Sequence, residues 1–300
     1  MTAFSAPSDH RSLLTPRPGS RGRKIRSVVA SGLITLAFFV ALVPLVAVVL
    51  YVIQQGADQL NWAFLTDPIP IDRAFGPGMG PAVAGTLLIT GAASMMAIPL
   101  GVLGGIYLNE YGGRGVLARV IRFLAEVMTG VPSVVMGLFI YTFVVLQTKE
   151  PNAFAGALAL ACLMMPIVIR TTDEMLRLVP GELREGSYAL GSRKSRTIRT
   201  VVLPSAAPGI ISGALLAVAR AAGETAPLIF TIGIVSETNW SLFNGPNTAL
   251  SAQIYRNALS PFPGAQERAW GAALTLILIV FIFTVLARLV TAFFSRRQTA

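Results

Sequence analysis

Long apolar stretches without charged side chains alternate along this chain with short polar segments that carry most of its charges. Four stretches contain no Asp, Glu, Lys or Arg, namely residues 28–53, 82–108, 151–169 and 269–287. Two more are as long but contain Glu126 in one and Arg220 with Glu224 in the other. A helix that crosses a hydrocarbon core about 30 Å thick needs roughly 20 residues. The pattern predicts six transmembrane helices, at about 28–53, 82–108, 123–148, 151–169, 204–236 and 269–290.

The composition agrees with a protein whose apolar surface faces lipid. Hydrophobic residues make up 54% of the 300 residues and charged residues 13%, whereas about a quarter of an average soluble domain is charged. The apolar stretches are continuous and do not alternate in polarity, which favours helices over a transmembrane barrel. We therefore expect an all-α membrane protein.

The basic residues are concentrated in alternate connections. Nineteen of the 24 Lys and Arg residues lie before the first stretch or after the second, fourth and sixth. The positive-inside rule places those segments in the cytoplasm. It predicts that both termini are cytoplasmic and that external loops lie near 54–81, 148–152 and 237–268. Topology then explains the net charge of +10, and we expect no nucleic-acid partner.

This topology divides the chain into three parts. Residues 1–26, rich in Ser, Pro, Arg and Gly, are expected to form a disordered basic cytoplasmic tail against anionic membrane lipids. Residues 27–294 form the transmembrane domain, with a cytoplasmic loop at 179–203, and residues 295–300 form a second cytoplasmic tail. The first apolar stretch exceeds the roughly 7 to 15 residues of a signal-peptide core, so we expect it to remain attached as a helix.

Motifs for catalysis and metal binding are missing from the sequence. Cys162 is the single cysteine and His10 the single histidine, which excludes an intrachain disulfide and a His-based metal cluster. No Walker A phosphate loop, nucleophile elbow, H-E-x-x-H helix or CxxC pair occurs. We expect no enzyme, metal or cofactor in this chain. A channel, an ion-coupled transporter and a membrane subunit powered by a partner remain.

The connection between the fourth and fifth stretches predicts two short helices joined by a turn. Pro180 suits a first helical turn, where its missing N–H costs nothing, and Glu182 and Glu185 favour the positive end of a helix. Gly191 offers a positive-φ stop. A second, basic helix then leads through Pro204 into the fifth span.

This loop resembles the EAA signature, E-A-A-x3-G-x9-I-x-L-P, of permease subunits in binding-protein-dependent ABC importers. Glu185, Gly191 and Leu203-Pro204 match it, whereas Gly186-Ser187 replaces the two alanines and Val201 the isoleucine. In that family the loop docks into a groove on an ATPase subunit, which binds ATP and Mg. The resemblance implies this coupling role for Glu182, Leu183, Glu185, Tyr188, Ala189, Leu190 and Gly191. An ordinary basic loop, which positive-inside topology would supply, is the alternative.

Further segments resemble PstA-type permeases of Pst phosphate importers. They begin at Gly78, Gly130, Leu203 and Ala219, and the most specific is the string R-A-A-G-E-T-A-P at residues 220–227. The resemblance implies the MetI-like architecture of type I ABC importer permeases in the inner or plasma membrane of a prokaryote. It also implies four kinds of partner: a homologous PstC-like permease, two PstB-like ATPase subunits, an extracytoplasmic PstS-like phosphate-binding protein and membrane lipids.

The same string places two charges inside an apolar stretch. Arg220 lies about 14 residues into the fifth predicted span, near the middle of the membrane. An arginine there costs roughly 2.5 to 3.5 kcal/mol and normally faces a bundle interior or a water-filled path. Glu224 follows on the same helical face and can pair with it. Either the pair neutralises itself and locks helices together, or Arg220 holds a passing phosphate through its fork of donors. We place Arg220, Glu224 and the adjacent Thr225 in the substrate path as a hypothesis.

Other residues of the apolar stretches carry weaker predictions. Arg170 ends the fourth predicted span and either snorkels to the interface or adds a second cation to the path. Glu126 is expected to be structural. Gly130 and Pro132 are expected to kink or unwind the third span. Close helix contact in the second span is expected at Gly101, Gly104 and Gly105.

The sequence predicts a permease subunit of an ATP-driven phosphate importer that forms half of the translocation path and works by alternating access. A permease for another oxyanion, such as sulfate or molybdate, would use the same loop. A stand-alone ion-coupled phosphate carrier would need neither an ATPase nor a coupling loop.

Overall fold

Helices account for the regular structure of this chain. The computed structural model describes residues 20–71, 75–113 and 115–298, and no β-strand occurs in those ranges. The prediction of an all-α membrane protein is confirmed. Residues 1–19 of the predicted N-terminal tail lie outside the described residues, whereas Ser20 to Arg26 belong to the first helix. The last helix likewise continues to Gln298, past the predicted start of the second tail at residue 295.

Thirteen α-helices occur in the described ranges. In chain order they are α1 Ser20–Gly56, α2 Trp62–Thr66, α3 Gly80–Ile106, α4 Val116–Gly130, α5 Ser133–Ile140, α6 Leu146–Thr148, α7 Ala153–Arg177, α8 Gly181–Ala189, α9 Lys194–Thr197, α10 Leu203–Ala222, α11 Ala226–Thr231, α12 Leu250–Ala258 and α13 Pro263–Gln298. Three π-helical turns extend some of them without a break: Tyr107–Tyr111 after α3, Tyr141–Val145 after α5, and Ile198–Val202 between α9 and α10.

The described part of the chain divides into two compact units, with the boundary between Tyr51 and Val52. In the first unit, the apolar side chains of α1 are exposed, among them Val28, Leu33 and Phe38, as expected for a helix surrounded by lipid. The second unit begins with the last residues of α1 and contains the other helices.

Among the described residues, five helical stretches are long and apolar enough to cross a membrane: Lys24–Gln59, Gly80–Tyr111, Ala153–Arg177, Lys194–Ala222 and Pro263–Leu289. The pair formed by α4 and α5, continued to Thr148, passes the same test together but is bent by 107° at its break. The structure thus has five candidate spans, or six when the bent pair counts as one. The bend lies at Val131 and Pro132, which confirms that Gly130 and Pro132 interrupt the third span.

Two predicted spans have different ends in the structure. α7 continues to Arg177, so Arg170 lies inside this helix and not at its end, as the uncharged stretch 151–169 had suggested. The fifth helical stretch begins at Lys194 and ends at Ala222, so the prediction of a continuous span at 204–236 is wrong. Pro227 lacks the backbone N–H that would carry α10 onward. Arg220 therefore lies in the last turn of α10 and not within a continuous helix.

The core of the second unit lies where α3 packs along α7. A Cβ at Gly101 would lie 2.7 Å from Cβ of Val168, and one at Gly105 would lie 2.5 Å from Cβ of Thr172. Real Cβ atoms do not approach so closely, so glycine permits this contact, as the sequence predicted. The two helices bury Ile89, Ala93, Ala97, Leu160, Met164 and Val168 against each other. α10 packs on α7 and α13.

Candidate translocation site

A break between α10 and α11 places two charged side chains beside each other. Arg220 lies in the last turn of α10, and Glu224 lies in the non-helical link that precedes α11. Arg220 Nε and Glu224 Oε1 are 3.7 Å apart, with 70% of the Arg220 side chain and 22% of the Glu224 side chain exposed. The predicted pair is present. The two groups are brought together by the link after α10, however, and not by a shared helical face.

The buried Ser251 on α12 fixes the link that carries Glu224. Its Oγ donates a hydrogen bond of 2.9 Å to the backbone oxygen of Glu224. A carbonyl next to a helix end has no hydrogen-bond donor within the helix. The hydroxyl of Ser251, from another helix, donates to this one. The position of the Glu224 carboxylate therefore depends on α12 as well as on α10.

A second helix break lies beside the first. The link between α4 and α5, Val131 and Pro132, lines a cavity of about 250 Å³ together with Arg220 and Glu224. We call it the break cavity; its remaining lining residues are Met128, Thr129, Ser133, Leu163 and Ile167. Transporters commonly build binding sites from interrupted helices, because irregular backbone within a membrane is tolerated where it lines a cavity.

The helices beyond the two breaks also touch each other. A Cβ at Gly137 of α5 would lie 2.6 Å from Cα of Pro227 in α11. This close approach ties the two interrupted segments together on one side of the break cavity. Pro132 interrupts the third span, as the sequence predicts, and it also forms part of the wall of the break cavity.

The break cavity has features that suit a small anion. A guanidinium has five N–H donors, and a single carboxylate at 3.7 Å engages only part of that fork. α5 begins at Ser133, a lining residue, so the positive end of its helix dipole is directed at the cavity. The volume is several times the roughly 30 Å³ that one water occupies.

Arg170 lies in a neighbouring cavity and not with Arg220. Arg170 Nη2 is 3.8 Å from Oε1 of Glu126, and both side chains are exposed, so the pair contributes only about 0–1 kcal/mol to stability. They line a cavity of about 370 Å³, here called the Arg170 cavity, with Leu108, Arg122, Ala125, Ile169, Asp173, Glu174 and Arg177.

The two cavities follow one another along the same faces of α4 and α7. On α7, positions 163 and 167 line the break cavity, and positions 170, 174 and 177 line the Arg170 cavity. Steps of three and four residues keep side chains on one face of a helix. We call this shared face of α4 and α7, with its two cavities, the groove. Arg170 and Arg220 therefore line separate cavities of the same groove. Thr225 is not among the lining residues of either cavity; its backbone oxygen accepts the first hydrogen bonds of α11.

The predicted coupling residues are on the exposed face of α8 and its end. Glu182, Leu183, Glu185, Tyr188, Ala189, Leu190 and Gly191 are all exposed. Leu190 is 88% exposed, and Gly191 ends the helix with a φ of +79°. The predicted helix, turn and helix are confirmed, except that Pro180 directly precedes the first helical residue. Exposed leucine and tyrosine side chains at a helix end form a surface suited to a protein partner.

Sequence reasoning missed the residues on the opposite face of α8. Arg184 Nη2 is 2.9 Å from Oε1 of Glu110, and only 20% of the arginine and 6% of the glutamate side chain are exposed. Ser187 Oγ and the buried Thr197 Oγ1 are 2.9 Å apart. Glu110 and Arg184 are far apart in sequence, so no helical spacing connects them. The one available signal is Glu110 itself, a carboxylate at the end of an apolar stretch that needs a partner when buried.

Comparisons with known proteins identify the family. Residues 97–300 match the family described as the binding-protein-dependent transport system inner membrane component. The chain is 40% identical over 286 residues to phosphate transport system permease protein PstA 1 of Mycobacterium tuberculosis (strain CDC 1551 / Oshkosh), which covers 94% of each chain. It is 40% identical over 273 residues to PstA of Yersinia pestis, which covers 91% of each chain.

Solved structures share the fold at low sequence identity. A chain of a bacterial ABC transporter involved in the import of the acidic polysaccharide alginate aligns with a TM-score of 0.60 and 15% identity, over 91% of this chain and 97% of that one. A chain of the inward-facing MetNI methionine ABC transporter aligns with a TM-score of 0.58 and 18% identity, over 71% of this chain and 94% of that one. These similarities confirm the predicted MetI-like fold. The family match and the relatives show that this chain belongs to the PstA permeases, a group of binding-protein-dependent transport permeases with several membrane spans.

Proposed function

We propose that this chain is a permease subunit of an ATP-driven phosphate importer and forms half of its translocation path. The observation that carries the proposal is the Arg220–Glu224 pair at a cavity between two helix breaks. A cation is costly within an apolar span and is usually retained where an ion or substrate passes. The names of the relatives in M. tuberculosis and Y. pestis, phosphate transport system permeases, support phosphate as the anion.

Arg220 would hold the phosphate, and Glu224 would position Arg220 between transport steps. Their distance of 3.7 Å exceeds the roughly 2.7–2.9 Å of a charge-assisted hydrogen bond. Glu224 thus compensates the charge of Arg220 without occupying its full donor fork. A phosphate can then replace Glu224 and accept hydrogen bonds from the guanidinium through two of its own oxygens. Arg170 would add a second cation to the path in the Arg170 cavity, and Thr225, whose backbone oxygen accepts the first hydrogen bonds of α11, would act by holding the link next to Glu224.

The energy for import would come from partner subunits. The exposed surface of α8, from Glu182 to Gly191, would dock into an ATPase subunit that binds ATP and Mg. A homologous PstC-like permease would form the other half of the path, with two PstB-like ATPase subunits below the pair. A movement of α8 would then alternate access to the break cavity.

This function requires one orientation of the chain in the membrane and two further partners. With α8 in the cytoplasm of a prokaryote and both termini on the same side, the segments 54–81 and 237–268 face outward. A PstS-like binding protein would deliver phosphate to those segments. Membrane lipids surround the remaining apolar surface, and no nucleic acid is involved.

Replacement of Arg220 by glutamine tests the role in phosphate transport. Arg220→Gln should lower uptake of labelled phosphate at least about ten-fold, because a hydrogen bond to a charged group contributes about 1.5–3 kcal/mol. The complex should still assemble with its ATPase subunits. The control is Arg119→Gln, which removes an equal charge from an exposed position on α4 and should leave uptake unchanged. Normal uptake by Arg220→Gln would remove Arg220 from the path.

Two added measurements separate the alternatives. Uptake in the presence of excess unlabelled phosphate, sulfate or molybdate identifies the preferred oxyanion, since the true substrate competes most strongly. Uptake after deletion of the ATPase genes should stop. Persistence of uptake in that strain would favour an ion-coupled carrier over an ATP-driven importer.

A further inference from the structure

The π-helical turn Tyr107–Tyr111, here called the π-turn, connects the end of α3 to four other helices. Turns of this kind are rare and frequently occur at functional sites. Four consecutive residues, Leu108 to Tyr111, each contact a side chain from another helix. The π-turn is therefore a junction and not only the end of a span.

On one side the π-turn is bonded to the helices that line the Arg170 cavity. Arg122 Nη2 on α4 donates a hydrogen bond of 3.0 Å to the backbone oxygen of Leu108. Asn109 Nδ2 donates to Oδ1 and to the backbone oxygen of Asp173 on α7, both at 3.3 Å. Arg122, Leu108 and Asp173 line that cavity together.

On the other side the π-turn is bonded to the coupling loop. Arg184 of α8 reaches Oε1 of Glu110 through Nη2 at 2.9 Å and Nε at 3.3 Å. Lys194 of α9 donates through Nζ to the backbone oxygen of Glu110, and its ammonium lies 4.8 Å from the centre of the Tyr111 ring. Both helices of the loop therefore contact the π-turn, α8 at Glu110 and α9 at Glu110 and Tyr111.

Arg184 also holds the end of α7. Its Nη1 donates to the backbone oxygen of Val179 at 2.7 Å, and its Nη2 donates to that of Leu176 at 2.9 Å. Carbonyls at a helix C-terminus lack partners within the helix, and one guanidinium satisfies two of them in this region while pairing with Glu110. A shift of α8 must therefore displace α7 and the π-turn, or else separate a largely buried ion pair, which is costly.

We propose that the π-turn transmits movement of α8 to α4 and α7, with Glu110, Arg184 and Asn109 as positioning residues for transport. This inference rests on the proposed docking of α8 to an ATPase subunit. Glu110 and Arg184 connect the loop to the turn, and Asn109 connects the turn to α7. The groove that contains the Arg170 cavity and continues to the break cavity would change shape as these contacts move.

The test measures transport and ATP hydrolysis in the same sample. The complete complex is reconstituted in liposomes with phosphate-loaded binding protein, and labelled phosphate transported is divided by ATP hydrolysed. Glu110→Ala should lower this ratio about ten-fold, a size typical of coupling between distant sites. Glu110→Gln should lower it less, because an amide oxygen still accepts a hydrogen bond, though without charge assistance.

A double variant separates transmission through this pair from independent effects. Glu110→Ala combined with Arg184→Gln should lower the ratio no further than Arg184→Gln alone, because loss of the guanidinium already breaks the bonds to the Glu110 carboxylate. Asn109→Ala, on the other side of the turn, should lower the ratio as well. The control is Arg196→Gln, which removes a charge from an exposed position of the same loop and should keep the wild-type ratio.

A purely structural role predicts a different result. Glu110→Ala and Asn109→Ala would then reduce the yield of assembled complex, but the complex that forms would transport as much phosphate per ATP as the wild type. That outcome would overturn the inference, and these two variants decide it even where Arg184→Gln fails to assemble. Failure of the proposed function would be visible separately, as a wild-type complex without ATP-dependent uptake.

Discussion

Arg220 illustrates how the end of a helix stabilises a cation in an apolar stretch. The side chain lies in the last turn of α10, where the negative end of the helix dipole stabilises a cation by roughly 0.3–1 kcal/mol. Glu224 adds a partial counter-charge at 3.7 Å. Neither contribution alone equals the roughly 2.5–3.5 kcal/mol cost of an arginine in mid-membrane. The side chain is also 70% exposed and lines the break cavity, so apolar atoms do not enclose its charge.

Ser251 should affect transport although it carries no charge. Ser251→Ala removes the hydrogen bond to the backbone oxygen of Glu224, which is worth about 0.5–1.5 kcal/mol. We expect phosphate uptake to fall about two- to ten-fold because the Glu224 link becomes less well positioned. Initial rates of uptake over a range of phosphate concentrations measure this effect.

Ser205→Ala provides the matched control for Ser251→Ala. The Ser205 hydroxyl donates to the backbone oxygen of Val201 within its own helical stretch, so its loss should leave uptake unchanged. Equal uptake by both variants would show that α12 does not position the pair. Loss of both proteins from the membrane would instead indicate a folding defect, which detection of the assembled protein reveals.

The positions of the helical segments could be predicted from the sequence, whereas the ends of several helices could not. Uncharged length identified the spans, and Pro132 marked the bend in the third one. Pro227 carries the same chemical signal in the fifth span, but apolar residues continue on both sides of it, and hydropathy alone cannot distinguish a broken helix from a continuous one. The same limitation applies to α7, which continues past its first charged residue, Arg170, as far as Arg177.

Small residues determine how closely α3 and α7 approach. Gly101→Ala would place a Cβ 2.7 Å from Cβ of Val168, so one helix must shift, and overpacking of this kind costs about 1–3 kcal/mol. We expect a lower melting temperature for the detergent-solubilised protein. Thermal unfolding followed by tryptophan fluorescence or by loss of soluble protein measures the change.

Gly91→Ala is the control on the same helix. Among the described residues, no heavy atom other than those of the adjacent residues and nearby backbone of α3 lies within 4 Å of a Cβ at Gly91, and alanine is favoured over glycine in helices by about 1 kcal/mol. This variant should therefore keep or raise the melting temperature. If both alanine variants behaved alike, the close approach at Gly101 would not limit the packing of α3 on α7.

The candidate site as a whole illustrates which parts of a membrane protein its sequence can specify. Arg220 and Glu224 were identifiable because a charge in an apolar stretch is costly, and the exposed face of α8 because of its resemblance to a motif. The break cavity and the Glu110–Arg184 pair combine residues that are distant in sequence. Their identification requires the packing of α4, α7 and α10, which no local pattern contains.

The orientation of the whole molecule in the membrane is also testable, since the chain has a single cysteine. In a Cys162→Ser background, Asn244→Cys and Ser195→Cys each introduce one thiol at an exposed position. Seven Lys and Arg residues lie between 170 and 199, so the positive-inside rule places Ser195 in the cytoplasm and Asn244 outside. A membrane-impermeant maleimide should label Asn244→Cys in intact cells and Ser195→Cys only after permeabilisation.

The Cys162→Ser protein alone should remain unlabelled and transport phosphate. The reverse labelling pattern would place α8 outside the cell, where no ATPase subunit could reach it, and would contradict the coupling proposal together with the assigned topology.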